Sequence, residues 1–207
     1  MSELSPVDRL VEECQKGNVK AYGELYDIFF PQIHKYVYYK VSKGQVDDLV
    51  STIFLKTWTH IKKYRRSSFP FSSWLYRIAH NTIIDHYRTH REFYELEEKI
   101  VDDESMNPVI ITDQKLNAER VHHALRKIGK PYQDVILLKF MNNLPNREIA
   151  RILNTNETNI RTLQFRALKK LRGVMEQQEQ KTASPLREET SLVQKPGLLK
   201  RIFGSFS

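Results

Sequence analysis

The feature that most constrains this chain is a helical spacing of apolar residues that never gives way to period-two alternation, and it is clearest in residues 71–91, FSSWLYRIAHNTIIDHYRTHR. At 100° per residue, Phe71, Leu75, Ile78, Ala79 and Thr82 share one side of a helix, the spacing that buries a stripe. Trp74, Arg77, Asn81, Ile84, Arg88 and Arg91 form a second stripe of one aromatic, one amide, one aliphatic and three guanidinium side chains. A helix that is only packed and solvated favours mixed Glu and Lys outside, whereas arginines beside an aromatic suit phosphate contact and base stacking. A basic solvated face is the bland alternative for the same residues.

The segments before it are helical as well. Ser5, Pro6 and Asp8 make a helix start, with a capping hydroxyl, a proline in the first turn and a carboxylate near the positive dipole end. Leu10, Val11 and Cys14 continue that helix to Gly17 and Asn18. A second helix is expected over 19–30, burying Ala21, Leu25, Ile28 and Phe29, with Pro31 opening a third that carries Ile33, Tyr36, Val37 and Val41 and ends near Gly44. A further helix starts at Asp47 and Asp48 and places Leu49, Val50, Ile53, Phe54, Thr57, Trp58 and Ile61 at helical spacing. The basic turn of Tyr64, Arg65, Arg66, Ser67 and Ser68 leads into the 71–91 stretch.

Charge divides the chain. The net charge of +8 over 207 residues is distributed as +6 over 19–92, −5 over 93–115 and +8 over 116–173. Two basic blocks therefore flank an acidic connector, and a polyanion is the partner such blocks suit. The connector contains EEKIVDDESMNPVI, broken at Asn107 and Pro108, with no sustained apolar period, and reads as a linker. The expected organisation is all-α: a helical domain over 1–92, the linker over 93–115, a second helical domain over 116–173, and a disordered tail over 174–207.

The single cysteine, Cys14, excludes an intramolecular disulfide and suits a reducing compartment. No apolar run approaches the roughly 20 residues of a membrane span, and MSELSPVDRL lacks a signal-peptide pattern, so a cytoplasmic protein is expected. The histidines His80, His86 and His90, and the adjacent His122 and His123, do not form a ligand set, so no metal is expected and no cofactor motif is present. No nucleophile elbow, phosphate loop or carboxylate pair points to an enzyme or to a small-molecule substrate. The last residues, PGLLKRIFGSFS, admit an amphipathic membrane or partner contact; a frayed end is the preferred reading.

In the second block, LPNREIARILNTNETNIRTLQFRALKKLR (144–172) has the form of a helix-turn-helix. Ile149, Ala150 and Leu153 would bury the first helix, over 146–153. Ile160, Leu163, Ala167, Leu168 and Leu171 would bury the second, over 156–172, with Asn156 as its cap. That arrangement leaves Glu157, Thr158, Asn159, Arg161, Thr162, Phe165, Arg166 and Lys169 outside. Arg and Asn suit bidentate contacts to base edges, and Lys suits phosphate. Two packed basic surface helices are the alternative.

EIARILNTNETNIRTLQFRALKKLR resembles the second conserved region of bacterial RNA polymerase sigma factors of the extracytoplasmic-function class, in the sigma-70 family. DDLVSTIFLKTW (47–58) and FSSWLYRIAHNTIIDHYR (71–88) resemble the first. Order and spacing match over about residues 19–172. The resemblance implies a first domain that binds core RNA polymerase and the promoter's minus-ten element, and a second that reads the minus-thirty-five element. It carries Asp48 and Leu49 over as polymerase contacts, and Arg65, Arg66, Trp74, Arg77, Asn81 and Arg88 as minus-ten contacts. It places the 64–71 loop where an extruded base is held, and it implies an anti-sigma factor as a further partner. Trp74 is left open between core and DNA.

The chain departs from the family pattern at four places. Ser51 and Thr52 replace a Gln and an acid; Pro145 replaces a capping hydroxyl, leaving Asn146 to cap. Asn154 replaces the turn glycine, the substitution that best tolerates positive φ. Leu163 and Gln164 replace a basic residue and Leu. A helix-turn-helix regulator that binds operator DNA without polymerase is the nearest rival, and a recombinase is the enzymatic one.

Overall fold

The computed structural model describes residues 4–66, 69–89 and 113–183, with the side chains of 113–119 and 179–183 excepted. Among the described residues every regular element is helical. In chain order they are α1 (Pro6–Gln15), α2 (Val19–Tyr38), a 3₁₀ turn (Lys43–Gln45), α3 (Val46–His60), a second 3₁₀ turn (Ile61–Lys63) and α4 (Phe71–Thr89). Then come α5 (Asp113–Lys127), α6 (Lys130–Ile136), a π-helical turn (Leu137–Met141), α7 (Asn146–Ile152) and α8 (Glu157–Ala183). By their contacts they fall into two compact units, and Arg147–Thr155 groups with the helices that precede residue 106.

The first unit is built from amphipathic stripes. At α1 the Ser5 hydroxyl accepts the Asp8 N–H at 3.2 Å, while the Ser5 N–H donates to the Asp8 carboxylate at 3.3 Å. This reciprocal pair is a capping box, which satisfies donors that a helix start leaves open. Gly17 turns the chain at φ +94°, and Asn18 caps α2 by accepting from the N–H groups of Lys20 and Ala21.

The chain does not restart at Pro31, as the sequence alone suggests; α2 runs through it as one helix to Tyr38. A proline inside a helix costs about 3 kcal/mol. The buried stripe of Leu25, Phe29, Ile33, Tyr36 and Val37 continues across it. Each such side chain contributes roughly 1.5–3 kcal/mol on burial, so packing wins over local preference. Ile28, expected inside, is 43% exposed, because it falls off that stripe.

In α4 the buried side is wider than five residues. Phe71, Leu75, Ala79 and Thr82 are buried as expected and Ile78 only partly, while Tyr76, His80 and Ile83 join the core because α2 and α3 both pack on this helix. Cys14 is 1% exposed and behaves as a small apolar residue.

In the second unit Val121, Ala124, Leu125 and Ile128 bury α5, and Gly129 at φ +89° breaks the chain before Pro131. Helix α8 does not stop at Arg172. It continues to Ala183 with Met175 buried, since Gln, Glu and Lys are good helix formers and Met175 extends the apolar stripe. The helical part of the chain therefore reaches past the expected tail boundary. At the other edge, α5 begins at Asp113, three residues inside the expected linker. Residues 93–112, Arg91 and the final PGLLKRIFGSFS lie outside the described residues.

Candidate nucleic-acid interface

The outer stripe of α4 is a surface feature. Arg77, Asn81, Ile84 and Arg88 are all exposed, and Arg88 also meets the Asp85 carboxylate at 3.2 Å. That ion pair joins two exposed groups one helical turn apart, so its hold on Arg88 is weak. Lys56 of α3 donates to the Thr82 hydroxyl at 3.3 Å and ties the two helices together beside the stripe.

Trp74 has both environments that the sequence leaves open. It is half-buried, with its ring centroid 5.3 Å from that of Tyr64 and 5.6 Å from that of Phe71. Phe71 in turn meets Tyr64 edge-on at 5.5 Å and Phe29 at 5.4 Å. One side of the indole is thus packed against a braced aromatic cluster, while part of it stays solvent-accessible. A ring held by neighbours yet partly accessible has surface to offer a base.

The turn entering α4 is held from both sides. Tyr64 is buried and its hydroxyl donates to the Phe69 carbonyl at 2.9 Å. Burial pushes the Tyr64 hydroxyl up to about 12; Asp8 pushes it the same way and Arg66 opposes. Arg65 is exposed and its guanidinium donates to the carbonyls of Lys62 and Tyr64. Arg66 is also exposed, with its Nε 3.2 Å from the Asp8 carboxylate.

On α3 the two polymerase-contact candidates separate. Asp48 is exposed, but Leu49 is 6% exposed and belongs to the core. The Asp48 face continues instead at Thr52, Leu55 and Thr59, spaced four, seven and eleven residues on, and Leu55 is 66% exposed. Leu55 was missed as a surface residue, although its position off the buried stripe carried the signal. Phe54 is buried, and Trp58 is half-buried against Tyr22 with ring centroids 4.8 Å apart.

In the helix-turn-helix segment the turn is as the sequence requires. Asn154 adopts φ +51°, the left-handed conformation, and the Thr155 N–H donates to the Ala150 carbonyl at 2.8 Å. Asn156 caps α8 by accepting the Asn159 N–H at 2.8 Å. Asn146, expected as the cap of α7, is instead its first helical residue, and its side-chain oxygen accepts from Gln164 at 2.8 Å. Ile149, Ala150, Ile160, Ala167 and Leu171 are buried, while Leu153, Leu163 and Leu168 are only half-buried. Ile152, not expected inside, takes the buried place beside Leu153.

The outer face of α8 is intact. Thr158, Asn159, Arg161, Thr162, Phe165, Arg166 and Lys169 are exposed, Phe165 to 73%, and Glu157 is half-buried in the first turn. Phe165 is thus a largely exposed apolar side chain among basic and polar neighbours on this helix.

Comparison with known proteins identifies the family in which both surfaces occur. The family description "Sigma-70 region 2" matches residues 25–93, and "Sigma-70, region 4" matches residues 118–171. The chain is 30% identical over 174 residues to the ECF RNA polymerase sigma factor BldN of Streptomyces coelicolor, covering 82% of this chain and 66% of that one. It is 26% identical over 178 residues to SigW, an ECF RNA polymerase sigma factor of Bacillus subtilis, covering 80% of this chain and 95% of that one. In fold it is similar to CnrH, solved in complex with the cytosolic domain of CnrY, with a TM-score of 0.64 at 22% identity over 83% of this chain and 98% of that one. The chain belongs to the sigma-70 family, in its extracytoplasmic-function class of RNA polymerase sigma factors. Sigma factors direct RNA polymerase to promoters for transcription initiation, and the two exposed basic faces lie one in each of the matched regions.

Proposed function

We propose that this sigma factor divides promoter recognition between α8 and the α4 surface. Thr158, Asn159, Arg161, Thr162, Phe165 and Arg166 enter the major groove of the minus-thirty-five element, with Glu157 in the first turn and Lys169 reaching phosphate. Arg77, Asn81 and Arg88 hold the backbone of the melting minus-ten strand, Trp74 offers a stacking face, and Arg65 and Arg66 flank the turn where a base leaves the duplex. Extrusion costs a few kcal/mol, which stacking and phosphate contacts offset.

Core RNA polymerase docks on the outer face of α3 at Asp48, with Leu55 as the apolar neighbour; Leu49 acts by holding that helix to the core. An anti-sigma factor is the regulatory partner by class. The chain works in the cytoplasm, without a catalytic centre or cofactor of its own; among the described residues no helix is long and apolar enough to cross a membrane.

The observation that carries this reading is the half-open Trp74 ring beside the exposed stripe of Arg77, Asn81 and Arg88. A duplex-binding regulator needs α8 alone and has no use for that surface. The test mixes the purified chain with core polymerase and candidate promoters and maps transcription starts. Specific starts that vanish with Trp74→Ala and Arg77→Ala together support it. High-affinity operator binding by the chain alone, with no complex on core polymerase, overturns it.

A further inference from the structure

The α1 helix precedes residue 25, where the match to the region 2 family begins, yet it is bonded to the turn that leads into α4. The Gln15 side-chain amide, partly buried, donates at 3.0 Å to the carbonyl of Ile61 and at 3.0 Å to that of Tyr64. Those two carbonyls lie 46 and 49 residues away, at either end of the 3₁₀ turn that closes α3. The Ile61 carbonyl already accepts the Tyr64 N–H at 3.1 Å, so the two-donor Gln15 amide adds a second bond there and bridges to the Tyr64 carbonyl. Two helical turns earlier, Asp8 meets Arg66 at 3.2 Å, so two residues of α1 hold three residues of the segment that follows α3. Between these contacts lies a shallow cleft of about 130 Å³ lined by Asp8, Val11, Glu12, Gln15, Tyr64, Arg65 and Arg66.

Tyr64 links α1 to both sides of the turn. Its backbone carbonyl is gripped by Gln15, its ring packs on Trp74 and Phe71, and its hydroxyl fixes the Phe69 carbonyl on the far side of the turn. A displacement of the Tyr64 backbone therefore moves the stacking ring of Trp74 and both ends of the turn together.

We infer that Gln15 is a positioning residue for minus-ten strand capture, setting the height of the Tyr64 turn against the Trp74 face and thereby which base the turn accepts. This rests on the strand-capture role given above to the turn and to Trp74. Asp8 acts beside it by holding Arg66 against α1 until a phosphate competes for the guanidinium.

The experiment uses the full chain bound to core polymerase and a promoter selected from a randomised pool with the wild-type holoenzyme. Single-stranded minus-ten oligonucleotides carrying each of the four bases at the position of strongest preference are titrated, alongside core affinity, minus-thirty-five duplex binding and thermal stability. Gln15→Leu is expected to cut the ratio of best to worst base by about tenfold, the scale of losing two neutral hydrogen bonds, with core affinity and duplex binding unchanged. Gln15→Lys, which keeps donors at that point, is expected to recover part of the ratio and guards against simple misfolding of the leucine variant. A base ratio unchanged in Gln15→Leu overturns the inference, as does a fall in every measurement together that Gln15→Lys shares. A wild-type holoenzyme with no base preference on the single strand instead removes the strand-capture role itself, which separates the two failures.

Discussion

Trp74 and Tyr64 pack with ring centroids 5.3 Å apart and planes inclined by 50°, which anchors an indole that is only half-buried. The two roles of this residue therefore come apart under substitution. Trp74→Ala is expected to lose about 2 kcal/mol of stability, below the range for a fully buried aromatic because the ring is only half-buried, and to lose promoter opening as well. Trp74→Phe keeps an aromatic on the Tyr64 cluster and should restore most of the stability and part of the opening. Urea unfolding measures the first, and fluorescence of 2-aminopurine in the minus-ten strand measures the second. Equal recovery of both in Trp74→Leu would show that the ring serves only the core.

Asp48 and Leu49 are neighbours in sequence with opposite surroundings, so their alanine variants should fail differently. Leu49→Ala removes a 6%-exposed side chain from the core and should cost about 2–4 kcal/mol of stability. Asp48→Ala should leave stability within about 0.5 kcal/mol and weaken core polymerase binding, as should Leu55→Asp. The check pairs a denaturation curve with a titration of core polymerase for each variant. Normal core binding by Asp48→Ala together with Leu55→Asp would remove the docking role of this face.

These two pairs also show what the sequence discloses and what it withholds. Periodicity located α1, α3 and α4 within a residue or two, because their apolar residues repeat along one side, and in α1 a capping box also marks the start. It divided α2 at Pro31, since local preference says nothing about how much tertiary burial lies on either side. Motif matching pointed to Leu49, but a motif records only that a position is used, and not whether it acts at the surface or from beneath. Trp74 stayed open because an aromatic on the boundary between two stripes is compatible with both. Gln15 had no signal at all: its partners are backbone carbonyls 46 and 49 residues away, and backbone atoms leave no mark in a sequence. The outer face of α8, by contrast, was legible at seven of the eight expected positions, Glu157 alone being half-buried, because polar residues at helical spacing opposite an apolar stripe face solvent.

The turn between α7 and α8 makes a sharper test of that legibility. Asn154 stands at φ +51°, where a Cβ is crowded and only Gly is free of the cost. Asn154→Gly should leave stability within about 0.5 kcal/mol. Asn154→Ala should lose roughly 1 kcal/mol and Asn154→Val more, with minus-thirty-five affinity falling in the same order as the helix pair loosens. Thermal unfolding ranks the three; Asn154→Val as stable as wild type would mean that the turn relaxes out of the left-handed conformation.

Alkaline pH should weaken the first unit in a defined window. Burial is the main cause that pushes the Cys14 thiol from 9.0 up to about 11, with the charges of Glu13 and Glu24 acting the same way. Tyr64 is likewise pushed from 10.0 up to about 12, again chiefly by burial. Both groups hold their protons more tightly folded than unfolded, so stability is full below pH 9 and falls as pH rises towards 12. One such group contributes a slope of at most about 1.4 kcal/mol per pH unit. Cys14→Ala should flatten the decline that begins near pH 9 while leaving the fall above pH 10, which Tyr64 shares with Tyr22, Tyr39 and Tyr76, all of them raised chiefly by burial. Urea midpoints taken across this range decide it, and identical slopes for wild type and Cys14→Ala would exclude Cys14 as a contributor.

Arg161 and Lys169 are both exposed on the outer face of α8 but are two helical turns apart, and different contacts follow. Arg161 sits in the second turn, within reach of base edges when the helix start enters the major groove, and a bidentate contact to guanine there specifies sequence. Lys169 lies further along, and in the proposed docking, with the helix start in the groove, its single ammonium is expected to meet phosphate. Arg161→Ala should therefore lose about 1–3 kcal/mol on the preferred minus-thirty-five sequence and much less on an unrelated duplex. Lys169→Ala should weaken both equally and reduce the salt slope by about one. Titrations of the holoenzyme on matched and scrambled duplexes at several salt concentrations distinguish these patterns, and a uniform loss for Arg161→Ala would reassign that guanidinium to the backbone.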